Sequence, residues 1–242
     1  MSNDDEVKKE SLKRARDAHV TVYLTLTSIV QGAVLAYLLS FVSLHSSQIA
    51  LTGWILSSVT FLLVIITWNE YVMGVIAFRW IPDLLDSCIP FMFGASQYFL
   101  VNAISDDPTK WIFRFIAFST VSFLAFRNMY SKARYEDGHN AVVLAALGAF
   151  VRVNSVLPLI GIILSLAFMG LTIFVGSCPA FTAAATGIIV VAACGYLIRT
   201  WLYWRKFVTF ARDDKQQLKL PFLSLQASRA EDNPSGEESA SG

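Results

Sequence analysis

Apolar runs, each near the length of a bilayer crossing, alternate with short polar interruptions along most of the chain. They lie near Val20–Leu44, Thr52–Trp68, Leu84–Ile104, Trp111–Tyr130, Val156–Gly176 and Phe181–Trp204. A hydrocarbon core of about 30 Å is crossed by roughly 20 helical residues rising about 1.5 Å each. The pattern predicts an all-α, polytopic membrane bundle of six transmembrane helices spanning residues 20–205. Residues 1–19 read as a charged helix that runs towards the first span. Asn3 and Glu6 resemble a capping box there, and Glu10 and Arg14 form an i,i+4 pair. The apolar run after them is too long for a typical signal core, so it reads as a retained span.

The stretch 131–154 reads as the longest internal loop, on the cytoplasmic side. It opens with Lys132, Arg134, Glu136, Asp137 and Gly138, then turns apolar from Ala141 to Val151. That segment is too short to span and suits an interfacial helix or an inward extension of span five. Residues 206–242 form a cytoplasmic tail, expected to be disordered after about 225, where Pro234, Ser235, Gly236, Glu237 and Glu238 cluster.

Polar groups inside the apolar runs are costly, so they face protein or water. Glu70 interrupts an apolar stretch that continues from span two to Trp80. One helix from Thr52 to Trp80 would measure about 44 Å, so either it tilts and bends near Gly74 or residues 71–80 turn along the interface. Pro82 is expected to open span three. Asp83 and Asp86 follow on one face, where the helix dipole favours carboxylates. With Glu70 they suggest an acidic mouth; Arg79 or Arg127 could neutralise them. Ser96, Gln97 and Asn102 carry polarity along span three to Asp106 and Asp107. Pro90 and Gly94 make this the span expected to kink or break. Arg114 is placed to snorkel outward or to pair with Asp106 or Asp107.

Composition sharpens the class. Hydrophobic residues make up 55% and charged residues 15%, against roughly 45–50% and 25% in soluble domains. A net charge of +1 gives no basic excess for nucleic acid. Lys and Arg concentrate in the N-terminal segment, the even connections and the C-terminal segment, and Lys110 alone lies in the odd ones. By the positive-inside bias, both termini face the cytoplasm. Tyr23, Trp80, Tyr130, Trp201 and Trp204 fit one aromatic belt, and Trp54 and Trp111 the other. A bacterial inner membrane is the expected home.

Enzyme signatures are missing. The three histidines (His19, His45, His139) and three cysteines (Cys88, Cys178, Cys194) are too scattered for a metal site or a dyad, and no nucleophile elbow or phosphate loop occurs. Neither a metal nor a cofactor is expected. Small residues at Gly32 and Ala36 in span one, and at Gly187 and Gly195 in span six, suit close helix packing within the chain or between copies. The leading expectation is a non-enzymatic, oligomeric channel or transporter for protons or small cations, with Glu70, Asp83, Asp86, Gln97 and Asn102 along its path. The alternative is a membrane sensor or scaffold docking a cytosolic protein partner.

Overall fold

The computed structural model is all-α and describes residues 3–105, 108–135, 138–175 and 179–231. Its helices are α1 (Asn3–His45), α2 (Leu51–Ala77), α3 (Leu84–Val101), α4 (Pro108–Tyr135), α5 (Gly138–Val175) and α6 (Pro179–Glu231). Each of the six contains a segment long and apolar enough to cross a membrane. The chain divides into two compact units, Met1–Trp201 and Leu202–Gly242. Within the second, Trp204 stacks on Phe207 and the Thr209 hydroxyl donates to the Arg205 carbonyl.

The helix limits bear on several expectations. The N-terminal segment joins span one in a single helix; the Glu10–Arg14 pair forms at 2.6 Å on its exposed surface. The Asn3 side chain lies outside the described residues. The described residues of stretch 131–154 are helical rather than a loop: α4 runs to Tyr135, and α5 begins at Gly138 and takes in the apolar segment as an extension of its span. The tail is helical to Glu231, and 232–242 lie outside the described residues. Helix α2 continues past Glu70 and ends where Phe78 turns extended, its N–H donating to the Gly74 carbonyl at 3.0 Å.

Span three opens one residue later than Pro82. Asp83 is the N-cap and accepts from the Asp86 N–H at 3.0 Å, while the Asp86 carboxylate accepts from the Asp83 N–H at 2.9 Å. This reciprocal box satisfies two of the donors that a helix start leaves open. Pro82 stands just outside and biases Ile81 against helix. The expected break does not occur: α3 is continuous through Pro90 and Gly94. The cost of Pro90 is the hydrogen bond to the carbonyl four residues back, which belongs to Asp86.

Hydrophobicity draws helices into lipid but not towards one another, so packing depends on close backbone approach. The close approaches lie at Gly94, Gly53, Gly74 and Gly161. A Cβ on Gly94 would lie 2.5 Å from Val30 of α1, and one on Gly53 would lie 3.3 Å from the Ile104 carbonyl oxygen. Gly74 abuts Met129, and Gly161 abuts Phe115 and Ser119. Gly32, Gly187 and Gly195 have nothing within 4 Å of a built Cβ, and Ala36 is exposed. Around the close contacts, Leu38, Leu56, Phe93, Leu100, Trp111 and Phe118 form the buried core.

Side-chain pairs fix the helix directions. Tyr23 meets Tyr71 and Ser28 meets Trp68, so α1 and α2 are antiparallel. Tyr37 meets Asn102, so α1 and α3 are parallel. Lys132 meets Asp83 and Asp86 at the start of α3, and Asn140 clasps Arg79 just beyond the end of α2, so these cations mark one end of the bundle, called the basic end below.

Candidate functional site

Polar side chains group into two systems that share helix α2. The first lies between α1, α2 and α3. At the basic end, Asp86 is buried on the first turn of α3 and accepts from Asn128 at 2.8 Å and Lys132 at 2.6 Å. The same ammonium reaches Asp83 at 2.8 Å. That hydrogen bond, with help from backbone donors, holds the Asp83 carboxyl below the usual carboxylate range.

Further into the bundle, the rings of Tyr23 and Tyr71 stack at 5.6 Å, with hydroxyls 3.5 Å apart. Both lie within electrostatic reach of Asp86. Thr27 comes next; its neighbour Ser28 accepts from the Trp68 indole at 3.1 Å. Gln31 follows Val30, whose side chain packs on Gly94, three residues before Gln97. Gln97 is fully buried and donates to Thr67 at 3.3 Å. At the opposite end, the Tyr37 hydroxyl donates to Asn102 at 2.7 Å.

The middle of this seam is under-satisfied. Thr27 Oγ1, both polar atoms of the Gln31 amide and Gln97 Oε1 are buried without a hydrogen-bond partner among the described residues. An unsatisfied polar group in an apolar setting costs roughly 2–7 kcal/mol, and lipid provides no remedy. Such atoms call for water or another polar partner.

The second system centres on Glu70, which is 2% exposed. Its Oε1 accepts from the Thr200 hydroxyl of α6 at 2.6 Å, and its Oε2 accepts from the Asn154 amide of α5. Asn154 in turn accepts from Arg199, which also donates to the Phe150 carbonyl at 3.1 Å. The guanidinium lies over the rings of Phe150 and Tyr196, at 5.2 and 5.6 Å. One turn beyond Asn154, Pro158 leaves the Asn154 carbonyl without its usual helical donor.

Glu70 and Tyr196 also line a cavity of about 430 Å³ between α2, α4, α5 and α6. Its length follows α6 from Ala184 to Tyr196, about 18 Å at the helical rise. Leu63, Phe115, Phe168 and Ile189 are among its apolar walls. The Thr67 and Ser122 hydroxyls on those walls bond to their own helix carbonyls, at 2.7 and 2.9 Å.

The expected acidic mouth is therefore divided. Asp83 and Asp86 share Lys132, whereas Glu70 is held by Asn154 and Thr200. Neither expected arginine neutralises the aspartates. Arg79 is exposed, its backbone clasped by the Asn140 side chain at 2.9 and 2.5 Å, and Arg127 is exposed. Arg114 donates to the Phe99 carbonyl at 2.9 Å; Asp106 and Asp107 lie outside the described residues. Gln97 and Asn102 do fall on the seam. Sequence reading missed Thr27, Gln31, Thr67 and the Tyr23–Tyr71 pair on it, and Asn154 and Thr200 around Glu70. Gln31 was the available signal, an amide in the middle of an apolar run. Among the described residues no cluster of His, Cys, Asp or Glu could hold a metal.

No protein-family model, curated protein or solved structure matches the chain.

Proposed function

We propose that this protein is a membrane channel or transporter for protons or a small monovalent cation, with the seam between α1, α2 and α3 as its path. The observation that carries the reading is the set of partnerless polar atoms on Thr27, Gln31 and Gln97 at the middle of apolar helices. Water threading those atoms would link Asp86, Tyr23 and Tyr71 at the basic end to Tyr37 and Asn102 at the other. Hydroxyls and amides in such a line can pass a proton or replace part of a cation's hydration shell. Glu70 stands beside this path, one turn from Thr67 on α2.

The distribution of Lys and Arg supports a cytoplasmic basic end with both termini inside, in a bacterial inner membrane. The open faces at Gly32, Ala36, Gly187 and Gly195 suit contacts between copies in an oligomer.

Flux into liposomes reconstituted with the full chain tests the function. Protons and potassium are followed separately, with wild type, Gln31→Leu and Asp86→Asn compared at equal incorporation. Wild-type flux well above empty vesicles, reduced at least tenfold by Gln31→Leu, is expected. Wild-type flux equal to that of empty vesicles for both ions rules the reading out.

A further inference from the structure

The cavity beside Glu70 touches the seam at Thr67 and Tyr71, but its chemistry points to a different kind of ligand. Its volume of about 430 Å³ lies inside the roughly 300–1,000 Å³ typical of ligand sites. Its length of about 18 Å is close to one hydrocarbon leaflet, half of a core about 30 Å thick. Along that length the walls are aliphatic and aromatic, and the Thr67 and Ser122 hydroxyls are turned to their own backbone. Such walls suit one extended apolar chain.

At the basic end the lining changes to Glu70 and Tyr196. An ionised carboxylate has about four acceptor positions, and Asn154 and Thr200 occupy two. The unused lone pairs call for a hydrogen-bond donor. Arg199 balances the carboxylate through Asn154 and is itself occupied by Phe150 and that amide. An anionic head would meet the carboxylate, and a cationic head would add an uncompensated charge at a site removed from water. An uncharged hydroxyl satisfies the carboxylate without either cost.

We infer that the cavity between α2, α4, α5 and α6 binds a single-chain amphiphile with an uncharged hydroxyl head, its chain along the helices and its hydroxyl donating to Glu70. The full chain in phosphatidylcholine liposomes is photolabelled with a diazirine-bearing hexadecanol, and the labelled peptides are mapped. Label is expected on the cavity walls, around Leu164, Ile189 and Ala192. Unlabelled hexadecanol should compete at a concentration at least tenfold lower than palmitate or hexadecylamine. Ala192→Trp fills the cavity from an exposed position of α6 and should remove the label, and Glu70→Gln should weaken competition by hexadecanol about tenfold. Label spread over the outer faces of α5 and α6, and indifferent to Ala192→Trp, would mean ordinary bilayer contact and would overturn the site. Cavity label that prefers palmitate or hexadecylamine would overturn the hydroxyl head. Neither readout depends on ion flux.

Discussion

The Asn154 amide donates to the buried Glu70 carboxylate while its own oxygen is held by Arg199. One neutral side chain thus spreads a charge pair over α2, α5 and α6. Removing it leaves an acid and a base each short of a partner. Asn154→Leu is expected to destabilise the protein by about 3–5 kcal/mol, the usual cost of breaking a buried ionic group. A double-mutant cycle with Glu70→Leu, read by thermal unfolding in detergent, should give a coupling of roughly 1 kcal/mol or more. Additive effects would mean that the pair does not interact.

Lys132 plays the corresponding part at the start of α3, where it bonds Asp83 and Asp86 together. Lys132→Met should cost about 3–5 kcal/mol because Asp86 is left buried and charged. Adding Asp86→Asn should recover part of that loss in the same unfolding assay. If Lys132→Met alone unfolds like wild type, the buried pair has no such role.

The Asp83–Lys132 pair also carries a pH signature. A carboxyl lowered by a folded-state partner adds stability above its unfolded value, 3.8, and loses it as the pH falls through the lower folded value. The stability difference between wild type and Asp83→Asn should be level between about pH 5 and 7 and shrink below the unfolded value. Because Asp83 is largely exposed, the effect is small. A difference that grows on acidification would contradict the pairing.

Helix count and type were legible because apolar runs of bilayer length leave few other folds in lipid. The Asp83–Asp86 cap was partly legible too, since both residues lie within one turn and the dipole favours them there. The partners of Glu70 were not. Asn154 lies 84 positions away and Thr200 lies 130, and nothing local in the sequence marks either as facing α2. The same limit applies to Lys132, 46 positions from Asp86. Glycine spacing is limited in the same way. A small-residue stripe marks a face that allows close approach, but the partner helix decides whether the approach happens. Gly94 meets Val30, while Gly32 faces open space.

That contrast gives a substitution test. At Gly53 a new side chain meets the Ile104 carbonyl, which cannot swing aside, whereas Gly74 meets the flexible end of Met129. Gly53→Val should therefore destabilise by about 1–3 kcal/mol, and Gly74→Ala by less. Gly32→Leu should leave monomer stability within about 0.5 kcal/mol. If Gly32→Leu instead lowers the mass seen by light scattering in detergent, its face is a contact between copies.

The central claim is that water reaches the orphaned amides of the seam. Single cysteines at Gln31→Cys and Gln97→Cys, in a chain with Cys88, Cys178 and Cys194 replaced by alanine, test it through labelling by a small thiosulfonate in liposomes. Leu100→Cys, equally buried but in the apolar core, is the control. Both glutamine positions should react at least tenfold faster than position 100. Rates at 31 and 97 as slow as at 100 would show a dry seam and contradict the account.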